Sequence, residues 1–361
     1  MNRGDISASK NEDVIYRLGL TYFQELSDYP TANQYFAMID SKEGKNAEYA
    51  RYYGSIAEIL SNPSPDISKL MDDVNNFAGQ TINTADNNTE KFENYNTLGD
   101  IYVRYLNEKS IDGIPDQAEK VMTQAEDDLS NYSGDDSSDF DLAFSDDLSE
   151  IYYKLGQDKS SVDYYKESIS SSEKVQSLAQ AKLKEAGVSI TDTNANESAK
   201  GYIQKYVDKV NRIAEIYGNM SKMKGNKNAD NDFNSALKTY KKAETEFGTS
   251  ANAAEIYVEH LNFLYGSYEQ KYGNDPAAWP DSATATIVNV YKSGKKVAGI
   301  GNNHNWATRI SIMDKLEDGS LAAEEADEKA ADADIKQDEA SSGDADKENT
   351  SGSSDDSGKG E

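Results

Sequence analysis

The sequence predicts an all-α chain: an α-α superhelix of stacked helix pairs, followed by a disordered acidic C-terminal tail. Three observations predict it. Apolar residues recur at three- and four-residue spacing, the period of one helix face, through most of the first 318 residues. A short pattern recurs along the chain, an apolar residue, then a small one, then an aromatic three further on. After Gly319 the aromatic residues stop, and Ala, Asp, Glu, Ser and Gly take over.

The recurring pattern marks the first helix of each pair. It appears as Leu18-Gly19-Tyr22, Leu98-Gly99-Tyr102, Leu148-Ser149-Tyr152, Ile213-Ala214-Tyr217 and Ala253-Ala254-Tyr257. The small residue lets a paired helix come close, and the tyrosine fills the space beside it with its hydroxyl at the rim. The second helix carries its own spacing of four then three: Ala32-Phe36-Ile39, Ala118-Met122-Ala125, Ser161-Tyr165-Ser168 and Ala236-Tyr240-Ala243. Helix pairs that cannot bury an apolar face alone must stack on neighbours.

Taken in order, the first pair spans about 12–41. A second, about 46–80, breaks at NPSP, 62–65, where proline disfavours helix. The third spans about 90–129. The run YSGDDSSDFD, 132–141, reads as a polar loop and cap. In LSEIYYKLGQDKSSVDYYKESI, 148–169, Gly156 interrupts the stripe, so the stretch reads as two helices with a turn at that glycine. A further helix follows at 170–187, and 188–201 reads as a loop. A fifth pair covers 202–247 with a long turn at GNKNADND, and a sixth begins near 250. Past Pro280, a cap at Asp281 or Ser282 opens the closing helices. The expected organisation is repeats at 12–187, further repeats at 202–270, closing helices at 276–318 and the tail at 319–361.

These units resemble the tetratricopeptide family, whose 34-residue unit carries Leu-Gly-x2-Tyr in its first helix and Ala-x3-Phe in its second. Leu148, Ser149, Tyr152, Gly156, Ser161, Tyr165 and Ser168 match that spacing without a gap. Leu18, Gly19, Tyr22, Ala32 and Phe36 match it with the second helix one residue late. The first-helix tryptophan of the family is absent throughout. The resemblance implies a concave groove lined by first-helix side chains that binds a peptide or partner helix. The positions it would expose are Arg17, Gln24, Arg104, Lys154, Asn211 and Asn219. The irregular, acidic, tyrosine-rich units also look like those attached to membrane-anchored serine/threonine kinases of anaerobic Gram-positive bacteria. A sensory region of such a kinase is the alternative expectation.

Composition bounds the function. Acidic residues number 65 and basic ones 37, for a net charge of −28. Such a chain repels phosphate backbones unless it builds a local basic face, so nucleic acid is not an expected partner. The densest lysines, in SKMKGNK at 221–227 and TYKKAE at 239–244, are short runs set among acids and read as solvated helix ends. The charge favours a neutral-to-basic or apolar ligand. With no cysteine there is no thiolate zinc site and no cysteine nucleophile. The first residues, MNRGDISASKNED, lack the apolar core of a signal peptide. No run approaches 18 apolar residues, so no direct membrane insertion is expected. The chain reads as cytoplasmic as it stands, or as part of a longer membrane-anchored protein.

No catalytic chemistry emerges. His260 and His304 are the only histidines; the first reads as helix packing and the second as a turn residue. GIGNNH, 299–304, lacks the third glycine and preceding strand of a nucleotide loop. DNDFNSALKTYKKAE and DDSSDFDLAFSDDLSE lack the central glycine of a calcium loop. The sequence therefore predicts no enzyme, no cofactor and no metal, and a third reading, an enzyme on stacked helices, has no residue to carry it.

Overall fold

Side chains three and four apart must share a helix face, and in this chain those faces are apolar enough to demand partners. The computed structural model describes residues 12–39, 45–62, 88–108 and 113–321, with Asp72 and Asn76. Among the described residues all regular structure is helical. The helices are α1 (Glu12–Leu20), continued by a π turn at Thr21–Glu25, α2 (Tyr29–Phe36), α3 (Lys45–Ser61), α4 (Asn88–Glu108), α5 (Ile114–Leu129) and α6 (Ser137–Asp158). They continue with α7 (Val162–Glu185), α8 (Glu197–Lys222), α9 (Ala229–Phe247), α10 (Ala254–Tyr272), α11 (Asp281–Gly294) and α12 (His304–Asp318). Apart from Asp72 and Asn76, the second helix expected at 67–80 lies outside the described residues, as does the acidic tail beyond Leu321.

Polar side chains start several helices by satisfying their first N–H groups. The Asp28 carboxylate accepts from Thr31 N at 3.2 Å, Asn196 from Ala199 N at 2.9 Å, and Asn303 from Asn305 N and Trp306 N. The cap of α11 differs from expectation. Pro280 stands at the flanking position, its carbonyl accepting from Ala283 and Thr284, and Asp281 is already helical. His304 is likewise the first residue of α12 and not a turn residue.

The described chain divides into two compact units, the first comprising residues up to Lys182 with Met223–Gly225, the second the rest. Within each, a helix packs on the next and on the next but one: α1 on α2 and α3, α4 on α5 and α6, α8 on α9 and α10. That is tandem helix-pair packing, with first helices stacked on first helices. The core of the first unit centres on Phe23, Phe36, Tyr53, Phe92, Leu98, Tyr102, Met122, Phe144 and Leu148. That of the second centres on Val210, Ala214, Ala236, Tyr240, Ile256, Leu264, Ile287, Tyr291 and Trp306.

The turn expected at Gly156 lies instead at Lys159–Ser161. Gly156 sits inside α6, buried, because a Cβ there would come within 2.6 Å of the Tyr165 ring on α7. The turn is closed by Ser160, with a φ of 48°, and by Ser161 N donating to Gly156 O. Two other expectations change. The stretch 170–187 is not a separate helix, since Val162–Glu185 is continuous. The run 132–141 is only partly loop, since Ser137 opens α6.

The same key recurs at other seams. A Cβ on Gly19 of α1 would stand 2.5 Å from the Phe36 ring of α2. Gly99 of α4 lies where three helices meet: a Cβ there would collide with the Asp147 carboxylate of α6 and stand 3.0 Å from the Met122 methyl of α5. Ser149 stays small for a related reason: its carbonyl accepts from Ser168 Oγ of α7 at 2.6 Å. Gly99→Leu is expected to cost about 1–3 kcal/mol by overpacking, read as a lower midpoint in urea. An unchanged midpoint would place Gly99 off the seam.

Folding buries many tyrosines, and this makes the chain sensitive to alkali. Burial pushes the phenols of Tyr102, Tyr206 and Tyr240 above their ordinary 10.0, and the Glu246 carboxylate that accepts from Tyr206 at 2.6 Å pushes further. The fold thus favours the neutral phenol. The contribution is fully present below pH 10.0, the unfolded value, and is lost as pH rises above it. Tyrosinate absorbance and loss of helical signal are expected to rise together above that pH. Titration of every tyrosine near 10.0 with the helices intact would contradict the burial.

Candidate functional site

The side chains of the recurring pattern serve packing. Gly19, Ala32, Phe36, Leu98, Gly99, Tyr102, Ala118, Met122, Ala125, Leu148, Ser149, Gly156, Tyr165, Ile213, Ala214, Ala236, Tyr240, Ala243 and Tyr257 are buried. Leu18, Tyr22, Tyr152, Ser161, Tyr217 and Ala254 are half-buried at the rim. The first-helix positions expected to line a groove are dispersed. Arg17 is exposed on α1, and Lys154 on α6 reaches Asp158, one turn on, at 3.2 Å. Asn211 and Asn219 are half-buried on α8. The side chains of Gln24 and Arg104 lie outside the described residues.

A different concavity is present in the second unit. Helix α10 packs against both α9 and α11, and the channel between those two outer helices is floored by α10. It forms two adjoining cavities of about 810 and 510 Å³ that share Thr286. The larger is walled by Asn231, Asn234, Lys238 and Lys241 of α9 and by Asn289 and Ser293 of α11. The smaller is lined by Lys222, Asp230, Phe233, Tyr268, Lys271 and Tyr272.

The floor is built around His260. The imidazole is 5% exposed and lies flat against the Tyr240 ring, centroids 4.6 Å apart. Its Nδ1 is 2.6 Å from Glu244 Oε1. With the carboxylate ionised, Nδ1 is the donor and Nε2 the acceptor. Nε2 is buried and makes no hydrogen bond among the described residues. Seven residues on, on the same face of α10, Ser267 Oγ is also buried with no partner among the described residues. A buried polar atom left unsatisfied costs free energy, so two on one stripe of a cavity floor mark a place suited to a ligand.

The electrostatics run against the whole chain. Among the lining residues, Lys222, Lys238, Lys241 and Lys271 stand against Asp230 and Glu244. Lys222 and Lys241 come from the two short lysine runs that read as solvated helix ends; the fold turns both toward one channel. Lys238 and Lys241 form no ion pair among the described residues. Sequence alone hides this face because its members lie on three helices. The signal that could have found it is the i, i+3 spacing of Lys238 and Lys241 opposite the buried Ala236-Tyr240-Ala243 stripe.

No group of three or more His, Cys, Asp or Glu suited to a metal occurs among the described residues. No described helix is long and apolar enough to cross a membrane. The chain matches no known family model, no curated protein and no solved structure.

Proposed function

We propose that this chain is a non-catalytic interaction scaffold that holds an extended peptide or partner helix in the channel between α9 and α11. One observation carries the reading: an open channel walled by amide and lysine side chains that the described chain leaves unengaged, above two unsatisfied polar atoms. Asparagine offers both a donor and an acceptor to a peptide backbone. The resemblance to tetratricopeptide units supports a peptide-binding role for stacked helix pairs, here on a different face from the one it implied. The test is peptide display against the full chain, followed by affinity measurement with Asn234→Ala/Asn289→Ala. Both residues are exposed, so folding should be preserved. Selected peptides should lose roughly five- to tenfold in affinity, the value of about two hydrogen bonds. Peptides that bind the variant as tightly as the parent would overturn the channel as the binding site.

A further inference from the structure

We infer that the occupant of this channel is the chain's own acidic segment, residues 322–361. The inference rests on the reading of the channel as a peptide site and names the peptide.

Charge is the first argument. From Ala322 to Glu361 there are fourteen acids and four lysines. The rest of the chain, with 51 acids and 33 basic residues, carries a net −18 and for the most part repels such a segment; the lysine-walled channel is a local exception. Four of the acids, Glu324, Glu325, Asp327 and Glu328, follow α12 almost at once.

Position is the second. The last turn of α12 is pinned beside the last turn of α11: Tyr291 Oη donates to Asp314 at 2.8 Å, and Lys295 Nζ lies 3.3 Å from Asp314 and 3.1 Å from Glu317. Val290 and Ser293, on that same turn of α11, line the larger cavity. Tyr291 and Lys295 face the side of α11 away from Thr286, Asn289 and Ser293, so the chain leaves α12 about one helix width, roughly 10–12 Å, from the mouth of the channel, which about four extended residues cover. Following the floor from His260 to Tyr272 needs roughly 20 Å, which about six extended residues cover. The segment is more than long enough to run past Lys238 and Lys241 toward Lys222 and Lys271. Its carboxylates would meet the lysines, and its backbone would meet the amides of Asn231, Asn234 and Asn289. An external partner would then have to displace it.

The experiment is zero-length carbodiimide coupling on the full wild-type chain, which joins a lysine amine to a carboxylate only in direct contact. The expected result is coupling of Lys238 or Lys241 to acids between Glu324 and Glu339, independent of protein concentration and lost near 1 M salt. In parallel, Lys238→Glu/Lys241→Glu should speed tryptic cleavage after Lys329 and Lys336 by roughly fivefold, as the docked fraction falls. Tail coupling spread evenly over the chain's lysines, coupling that grows with concentration, or an unchanged cleavage rate would overturn the inference. Peptide selection that still depends on Asn234 and Asn289 in that event would leave the scaffold reading standing and remove only its internal occupant.

Discussion

Phe144→Ala should lower the stability of the first unit by about 3–5 kcal/mol, the cost of removing a fully enclosed aromatic ring. The ring shows no exposed surface. It lies 6.1 Å from Tyr95 in an edge contact, 6.3 Å from Phe92 and 6.0 Å from Phe140. It thus joins α6 to α4 at their stacked faces. Thermal melting by circular dichroism should show the midpoint falling by roughly 10 °C. A fall of less than about 2 °C would mean the seam relaxes around the loss, and that first-helix stacking contributes little here.

Trp306→Ala should have an effect of the same size at the other end, again about 3–5 kcal/mol. The indole is 2% exposed and stacks on Tyr291 at 5.2 Å. It also fills the space over Gly294, where a side chain would collide with it. Without it α12 loses its principal anchor on α11, and the Lys295 pairs with Asp314 and Glu317, both solvent-exposed, hold little by themselves. Amide exchange should report opening confined to α12 and the end of α11. Exchange unchanged in α12 would show that Ile310, Met313 and Leu316 suffice to seat it.

The helix pairs were legible because their chemistry is local. A small residue beside an aromatic at fixed spacing can be read off one helix, and the structure uses Gly19 and Gly99 at close approaches. The turn near Gly156 was not legible for the same reason. A glycine signals either a break or a close approach, and the deciding partner, Tyr165, lies on the next helix. Depth around the helix was only partly readable: Leu148 is buried, while Tyr152, four residues on, is half-buried against Tyr164. The channel was the least legible feature. Its lysines come from α8, α9 and α10, and its asparagines from α9 and α11. Only the fold makes them neighbours.

The seams between helices also act as addresses. Gly19 accepts a phenylalanine ring, Gly156 a tyrosine ring, Gly294 an indole, and Gly99 a methionine tip beside a carboxylate. These four sockets each take a different plug, though Gly218 repeats the phenylalanine of Gly19 with Phe263, so the helix pairs they join are not interchangeable parts. Shuffling their order, or deleting one pair and splicing its neighbours, would set the wrong plug against each socket. Registry errors of the kind that trouble uniform repeat arrays are therefore penalised at these joints, and the irregularity of the units favours one order of assembly within each compact unit.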